Sequence, residues 1–198
     1  MSPDPRVGAV ILAAGLGSRF GPQPKMLAHF AGKAMVRHAA DAALASSARP
    51  VVVVLGAHAT EIRAVLAGLD LILVENPDFA VGLSTSLRAG LAALPPNTEA
   101  ALVLLGDMPR IEAAHLDDLI AAYRRADPRP SAVVPVHGHR RGNPVLLDLT
   151  LLADDLAGLT GDRGAGLILS GRNDVLEIPG APATSFDVDE PSRLSAQT

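Results

Sequence analysis

The chain has 198 residues, of which 48% are hydrophobic and 19% charged, and these values predict one globular domain with a single sizeable core. A net charge of −4, together with one Tyr, four Phe and no Trp, argues against a nucleic-acid-binding surface. The absence of Cys excludes disulfides, a thiol nucleophile and a thiolate metal site, and no apolar run is long enough to span a membrane.

Short apolar runs alternate with segments of helical periodicity along most of the chain. In chain order they predict a strand at 8–13, a helix at 35–46, a strand at 50–56, a helix at 59–69, a strand at 71–75, a helix at 84–94, a strand at 100–107 and a helix at 112–126. Two further strands, at 131–136 and 143–147, flank a turn rich in Gly and Arg and are candidates for a hairpin. Two short helices and two short strands are expected to complete the chain.

The alternation of strands and helices predicts βαβ units, and therefore a mostly parallel sheet with helices on both faces. No linker-like or repeated segment divides the chain, so we expect one domain over residues 1–198, with a disordered tail at 1–6. No signal-peptide pattern opens the sequence, and we expect a soluble cytoplasmic protein without a membrane partner.

The predicted sheet also indicates where a ligand would bind. In open α/β sheets, ligands bind in the crevice beyond the carboxyl ends of the strands. The loops at that edge begin at Ala13, Gly56, Asn76 and Gly106. We therefore expect functional residues in these loops rather than in the apolar strands.

The loop after the first strand, LAAGLGSRFGPQPK, combines glycines with two cationic side chains. Gly15, Gly17 and Gly21 would let backbone amides approach a ligand, and successive amides in a turn bind anions. Arg19 offers a planar fork for phosphate oxygens, and Lys25 offers a mobile point charge. The loop matches neither the P-loop pattern nor the full dinucleotide fingerprint. From this loop alone, a phosphate cradle and a plain glycine-rich turn both remain open.

Acidic residues in two other segments are candidate metal ligands. Asp107 ends the predicted strand at 100–107, and a carboxylate at that edge suits Mg²⁺ that also binds substrate phosphates. The alternative is that Asp107 is a turn or helix-capping residue. Asp187 and Asp189 alternate on an extended stretch, so both would point to the same side, and one of them could complete a metal site. The alternative for this pair is a solvated acidic end of an edge strand.

Six blocks of the sequence carry a resemblance when they are taken in order. They are LAAGLGSRFGPQPK, NPDFAVGLSTSL, LGDMP, HRRGNPVLL, LTGDRGAGLIL and FDVDEP. Together they resemble the nucleotidyltransferases that transfer a nucleoside monophosphate from an NTP, and in particular the molybdenum-cofactor cytidylyltransferase-like branch. The first block and LGDMP are shared by many relatives, whereas RGNPVLL followed by GDRGA is more specific. The resemblance extends over nearly the whole chain.

This resemblance implies a single-domain, Rossmann-like three-layer sandwich, with a mostly parallel sheet and one antiparallel strand near its C-terminal part. It also implies a role for particular residues. The implied nucleotide-binding residues are Leu12, Ala13, Ala14, Gly15, Gly17, Ser18, Arg19, Lys25 and Asn76. The implied residues on the side of the second substrate are Ser84, Arg141, Gly142, Asn143, Gly161, Asp162 and Gly164. Lys25, Arg19 and Asp107 would be the catalytic residues, and Asp107 with Asp189 or Asp187 would bind Mg²⁺.

The implied activity is transfer of CMP from CTP to the terminal phosphate of molybdopterin, with release of pyrophosphate. An apo-molybdoenzyme is a possible partner. Ala14 favours CTP, because guanylyl-transferring relatives typically have Gly at this position. A phosphate monoester nucleophile is largely ionised at neutral pH, since its second pKa is about 6, so no general base is required. The scattered histidines agree with this, although His139, next to the RRGNP block, is either functional or an exposed hairpin tip.

Two alternative functions remain open at this stage. One is an enzyme of the same fold that uses GTP, or another phosphorylated acceptor such as a sugar phosphate, a polyol phosphate or phospholactate. The GDRGA segment argues against the sugar branch. The other is a non-catalytic carrier that delivers molybdenum cofactor to an apo-enzyme. The presence of Arg19, Lys25 and Asp107 argues against a carrier.

Overall fold

A sheet of eight strands forms the centre of the protein in the computed structural model, which describes residues 4–17, 20–21 and 23–192. The strands are β1 (Val7–Leu12), β2 (His29–Phe30), β3 (Lys33–Ala34), β4 (Val51–Leu55), β5 (Ile72–Glu75), β6 (Ala100–Leu105), β7 (Ala132–His137), β8 (Arg140–Arg141), β9 (Val145–Asp148) and β10 (Val175–Pro179). The α-helices are α1 (Met35–Ala45), α2 (Ala59–Val65), α3 (Leu83–Ala92), α4 (Ala113–Arg125), α5 (Ala153–Ala157) and α6 (Ala165–Ile168). Short 3-10 turns lie at Lys25–Leu27, Phe79–Val81 and Pro182–Ser185.

The strand order of the sheet is β10-β7-β9-β6-β1-β4-β5, with β8 paired to β7 and with β2 and β3 forming a separate hairpin. Neighbouring strands are parallel, except that β9 runs antiparallel to both β6 and β7, and β8 runs antiparallel to β7. The predicted α/β fold, mostly parallel with an antiparallel strand near the C-terminal part, is therefore confirmed. The two strands predicted at 131–136 and 143–147 are direct neighbours, with Val133 opposite Leu146.

Helices cover both faces of the sheet, which explains the continuous apolar runs of β1 and β4. Every residue of these two strands is buried. In β1, Ala9 and Ile11 pack with α1, α2 and α4 on one face, whereas Val10 and Leu12 pack with α3, α5 and α6 on the other. A third, smaller cluster is separate from these two and contains Phe20, Ala28, Phe30, Met35 and Val188. Among the described residues, no helix has both the length and the apolar character needed to cross a membrane.

The end of the described chain differs from the prediction of two short strands. The two predicted helices are present as α5 and α6, but only β10 forms a strand after them, followed by the 3-10 turn at Pro182–Ser185. Residues 186–189 pair with no strand. Their apolar side chains explain the difference, because Val188 is buried in the third cluster and Phe186 packs against it. Side-chain burial therefore holds this segment where a strand ladder was expected.

The structure describes only residues 4–6 of the predicted tail at 1–6. Residues 1–3 lie outside the described part of the chain, so the tail remains a prediction there. At residue 6 the backbone is already engaged with the rest of the protein, since the Arg6 amide donates to Glu99 Oε1 and the Arg6 carbonyl accepts from the amides of Glu99 and Ala100.

A buried hydrogen bond joins α4 to β9. The Tyr123 hydroxyl donates to Asp148 Oδ2 at 2.7 Å, and both residues are buried. Burial, and then the hydrogen bond to Asp148, raise the pKa of Tyr123, so its hydroxyl stays protonated as a donor. The other oxygen of Asp148 accepts from the amides of Thr150 and Leu151.

We expect Tyr123→Phe to lower the free energy of unfolding by about 2 kcal/mol, because the variant leaves one oxygen of a buried carboxylate without its donor. Urea unfolding would measure the change. Arg129→Ala is the control, because it keeps the buried hydrogen bond and removes two exposed contacts, the ion pair with Glu99 and the cation–π contact with the Tyr123 ring, which together are expected to contribute about 1 kcal/mol. A loss for Tyr123→Phe no larger than that of the control would contradict the prediction.

Candidate functional site

A cleft of about 450 Å³ opens at the carboxyl ends of β1 and β6, at the sheet edge where the sequence predicts a ligand. Ala14, Gly15 and Leu16 form one wall. The segment from Phe79 to Ser86, which includes the start of α3, forms another. Asp107 lies on the β6 side. A second cavity of about 350 Å³ shares Gly15, Leu16 and Asp162 with the first and is also lined by Gly17, Phe20, Lys25 and Asp189.

Three charged side chains meet beside this cleft. The Lys25 ammonium contacts Asp107 Oδ2 at 2.6 Å and Asp189 Oδ1 at 2.7 Å. The Lys25 and Asp107 side chains are only 9% and 14% exposed, whereas the Asp189 side chain is 50% exposed. Burial on its own would lower the pKa of Lys25, but the two carboxylates outweigh it and raise the pKa, so Lys25 stays charged. In this structure Lys25 is therefore a buried counter-ion of two carboxylates, and its contact with phosphates stays a prediction.

The segment that carries Asp187 and Asp189 is attached to the turn that carries Asp107. The Val188 amide donates to the Asp107 carbonyl at 3.1 Å. The pKa of Asp187 is raised, first by burial and then by the negative charges of Asp189 and Asp107. The three carboxylates thus lie close enough to affect one another. Sequence analysis left open which of Asp187 and Asp189 assists Asp107, and in the structure the ion pair with Lys25 involves Asp189.

The carboxylates fit a hard divalent cation that is only partly bound by protein. Asp107 Oδ1 is buried and has no hydrogen-bond partner within the described ranges. A carboxylate oxygen in this state is a suitable ligand for Mg²⁺ or Mn²⁺. Within those same ranges, no three His, Asp or Glu residues are arranged as a preformed metal cage. This agrees with the usual binding of Mg²⁺, through one or two carboxylates together with substrate phosphates.

The loop after β1 is partly held by its own backbone hydrogen bonds. The Leu12 carbonyl accepts from Gly106, the Ala13 amide donates to Val54, and the Ala14 carbonyl accepts from Ala57. These groups are engaged within the protein, although the side chains of Leu12 and Ala14 line the cleft. By contrast, the amides of Gly15 and Leu16 donate to no group of residues 4–17, 20–21 or 23–192. Within the described part of the chain, these two amides are donors suited to bind an anion.

Backbone conformation and lack of space both favour glycine at position 17. Its φ is +61°, and a Cβ atom at this position would lie 2.7 Å from Lys25 Cβ. A larger residue would therefore displace Lys25 from its carboxylates. The predicted site residues Ser18 and Arg19 lie outside the described residues, so their phosphate contacts remain predictions.

The side chain of Asn76 makes hydrogen bonds next to the cleft. Its side-chain Nδ2 donates to Thr85 Oγ1 at 2.8 Å and to Ser86 Oγ at 3.0 Å, and its Oδ1 accepts from the Asp78 amide. The side chain of Asn76 therefore orders the start of α3 and does not line the cleft, so the predicted nucleotide contact would be indirect. Ser86, which the sequence analysis did not select, does line the cleft. Its place in the NPDFAVGLSTSL block was the available signal.

The GDRGA segment lies against the start of α3. The Gly161 carbonyl accepts from the Ser84 amide, and a Cβ atom on Gly82, whose φ is +139°, would collide with Gly161. This close approach brings Asp162 to the edge of both cavities. Gly164 packs on Leu83, and Ser84 itself is fully buried, with a hydroxyl that has no partner among the described residues.

The residues of the RGNP block lie away from these cavities. Arg141 Nε donates to Glu177 Oε1 and its Nη1 donates to the Leu169 carbonyl, both at 2.8 Å. The Gly142 amide donates to Pro135, and the Asn143 amide donates to Thr184. Neither cavity is lined by this block. The structure therefore brings Lys25, Asp107, Asp189 and Asp162 together, but not Arg141, Gly142 or Asn143. His139 lies at the exposed tip of the β7–β8 turn.

Comparison with known proteins finds a matching family and similar individual proteins. Residues 9–175 match the family described as "MobA-like NTP transferase domain". Nicotine blue oxidoreductase of Paenarthrobacter nicotinovorans is 33% identical over 171 residues, which are 83% of this chain and 82% of that protein.

Two proteins of known structure are also similar. The crystal structure of Rv0371c from Mycobacterium tuberculosis H37Rv has a TM-score of 0.81 and 28% identity, over 95% of each chain. A complex of Rv0371c with manganese has a TM-score of 0.75 and 28% identity, over 97% of this chain and 98% of that one. A nucleotidyl transferase from Methanothermobacter thermautotroptrophicus has a TM-score of 0.79 and 26% identity, over 94% of this chain and 93% of that one.

Proposed function

The chain belongs to the family of MobA-like NTP transferases, and on that premise we propose that it transfers CMP from CTP to the terminal phosphate of molybdopterin, releasing pyrophosphate. Family and fold support nucleotidyl transfer in general. The choice of CTP and of molybdopterin rests on the sequence blocks described above.

One observation carries the proposal. A buried lysine is held between two carboxylates at the cleft, and one of these carboxylates keeps a buried oxygen without a partner in the described residues. Phosphoryl and nucleotidyl transfer require charge neutralisation and in-line positioning more than covalent catalysis. A structural ion pair alone would not need a second carboxylate, a free buried oxygen and an adjoining cavity.

In the proposed reaction, an oxygen of the acceptor's terminal phosphate attacks the α-phosphorus of the nucleotide. A new P–O bond forms, the bond to the bridging oxygen of the β-phosphate breaks, and pyrophosphate leaves. Lys25 would neutralise the phosphates, and the amides of Gly15 and Leu16 would orient them. The acceptor phosphate is already largely ionised, since its second pKa is about 6, so no side chain has to remove a proton.

Asp107 and Asp189 would hold a divalent cation, with Mg²⁺ as the proposed ion. When bound, such a cation supplies Lewis-acid stabilisation of the charge that develops on the phosphates. The manganese complex of Rv0371c, a protein of similar fold, supports a divalent cation in this family.

Ala14 supports the choice of cytosine. Its side chain is buried and lines the cleft. One methyl group in a pocket changes selectivity by a factor of roughly 10–200, so the expected preference for CTP over GTP is of that order. The hydroxyl of Ser86, with the Asn76 amide donating to it, is a polar group suited to a base edge.

A second candidate is favoured by one relative. Nicotine blue oxidoreductase is similar over most of both chains, so a redox reaction on this fold is the competing proposal. Pyrophosphate release separates the two proposals, because a redox reaction produces no pyrophosphate.

The decisive experiment is pyrophosphate release measured across the four NTPs, with Mg²⁺, with and without metal-loaded molybdopterin. We expect release only with the acceptor present, and fastest with CTP. Comparable kcat/KM for CTP and GTP would contradict the base assignment. Pyrophosphate release with a sugar phosphate or a polyol phosphate in place of molybdopterin would contradict the proposed acceptor. Binding of cofactor without any pyrophosphate release would favour a carrier.

A further inference from the structure

The segment Phe186–Asp189 carries a carboxylate of the site but belongs to no strand. Its backbone is held by the Phe186 amide, which donates to Ala183, and by the Val188 amide, which donates to the Asp107 carbonyl. A strand in a sheet is fixed along its length by a ladder of hydrogen bonds, and this segment has no such ladder. The position of Asp189 therefore also depends on side-chain contacts, which include its ion pair with Lys25 and the packing of the neighbouring apolar residues.

Arg110 provides that packing at the start of the segment. Its guanidinium carbon lies 3.9 Å from the centre of the Phe186 ring and 5.8 Å from the centre of the Phe30 ring. The centres of the Phe30 and Phe186 rings are 6.3 Å apart. A guanidinium this close to a ring face is attracted by its quadrupole, and its planar shape allows stacking that a lysine cannot reproduce.

Arg110 comes from the same turn as Asp107. That turn connects β6 to α4, and it is closed by the Met108 amide donating to Leu105 and by the Ile111 amide donating to Met108. One turn thus supplies the first carboxylate, accepts a hydrogen bond from the segment through the Asp107 carbonyl, and stacks on the segment through Arg110. The relative position of Asp107 and Asp189 is set within this unit.

We propose that Arg110 is a positioning residue that, by stacking on Phe186, fixes the segment that carries Asp189 beside Asp107 and so completes the cation site. Arg110 touches neither Lys25 nor the cation in this proposal. It acts through the segment. The inference rests on the proposed function only in assuming that Asp107 and Asp189 bind a divalent cation.

Binding of Mn²⁺, followed by electron paramagnetic resonance on the full chain with and without CTP, tests the inference directly. For Arg110→Ala we expect the dissociation constant of Mn²⁺ to rise about tenfold or more, because outer partners of a metal site typically affect affinity by about 10–100-fold. In turnover assays the Mg²⁺ concentration for half-maximal activity should rise by a similar factor, while the KM for CTP changes little. Arg110→Lys should recover only part of the loss.

Two controls separate positioning from a general loss of structure. Arg129→Ala removes another cation–π pair, with the guanidinium carbon 5.5 Å from the Tyr123 ring centre, and should leave Mn²⁺ binding unchanged. In a double-mutant cycle, Phe186→Leu should weaken Mn²⁺ binding, and adding Arg110→Ala to it should cause a smaller loss than Arg110→Ala causes in the wild type, because the two residues share a contact.

The possible outcomes separate a failure of the role of Arg110 from a failure of the proposed metal site. Wild-type protein that binds Mn²⁺ while Arg110→Ala binds it equally well would overturn the positioning role. Independent, additive effects of Arg110→Ala and Phe186→Leu would also overturn it. Wild-type protein that binds no Mn²⁺ with CTP present would instead remove the metal assignment in the proposed function, and the positioning role with it.

Discussion

Asp107→Asn is expected to reduce pyrophosphate release by about a thousandfold or more while the protein stays folded. The variant keeps the shape of the side chain but removes the charge that faces Lys25, and it replaces a carboxylate oxygen that has no partner among the described residues. Because charge stabilisation is the main catalytic task in nucleotidyl transfer, this loss should appear in kcat rather than in the KM for CTP. Asp107→Ala should give the same result.

Asp41→Asn is the matched control. Asp41 is also paired with a lysine, Lys33, but on the surface of α1 and away from the cleft. It should keep full turnover. Circular dichroism and thermal unfolding would show whether the Asp107 variants are folded, and a folded Asp107→Asn protein with full turnover would refute the assignment of Asp107 as metal ligand.

Lys25→Met should also lower kcat/KM strongly, on the order of 10²–10³-fold, because it removes a positive charge from the phosphates in a site of low exposure. It should also destabilise the protein by about 3 kcal/mol, since Asp107 and Asp189 lose their common partner. Stopped-assay kinetics and urea unfolding would measure the two effects.

The same variant has an opposite effect on metal binding. Without nucleotide, Lys25 occupies the position between two carboxylates where a cation would be attracted. We therefore expect Lys25→Met to bind Mn²⁺ more tightly than the wild type in the absence of CTP, although it turns over more slowly. Lys33→Met, which breaks the surface pair with Asp41, should change neither quantity. Weaker Mn²⁺ binding by Lys25→Met would contradict the idea that lysine and metal compete for these carboxylates.

Much of this arrangement could be predicted from the sequence because its signals are local. Apolar runs predict the strands β1, β4 and β6, and the rule for open α/β sheets predicts that the loops after them share an edge. That rule was sufficient to bring the glycine loop and Asp107 to the same cleft.

What could not be predicted depends on contacts between distant parts of the chain. Lys25 and Asp189 are 164 positions apart, and only the folded segment at 186–189 shows that they pair. The same holds for Arg110, whose partner Phe186 follows the last observed strand, β10, and for Asn76, whose side-chain amide donates to Thr85 and Ser86. Hydrogen-bond satisfaction and stacking are properties of the tertiary structure and leave no periodicity in the sequence.

Asp189 follows all ten strands of the described chain, and this determines when the ion-paired site can form during synthesis. Because the ribosome produces the amino-terminal part first, β1, the glycine loop, Lys25 and Asp107 are all available before the segment Phe186–Asp189 is made. A growing chain can therefore assemble the core strands and the walls of the cleft while Lys25 has only one of its two carboxylates. The ion-paired centre can close only after this segment has been made, and by then every strand of the supporting sheet has been synthesised.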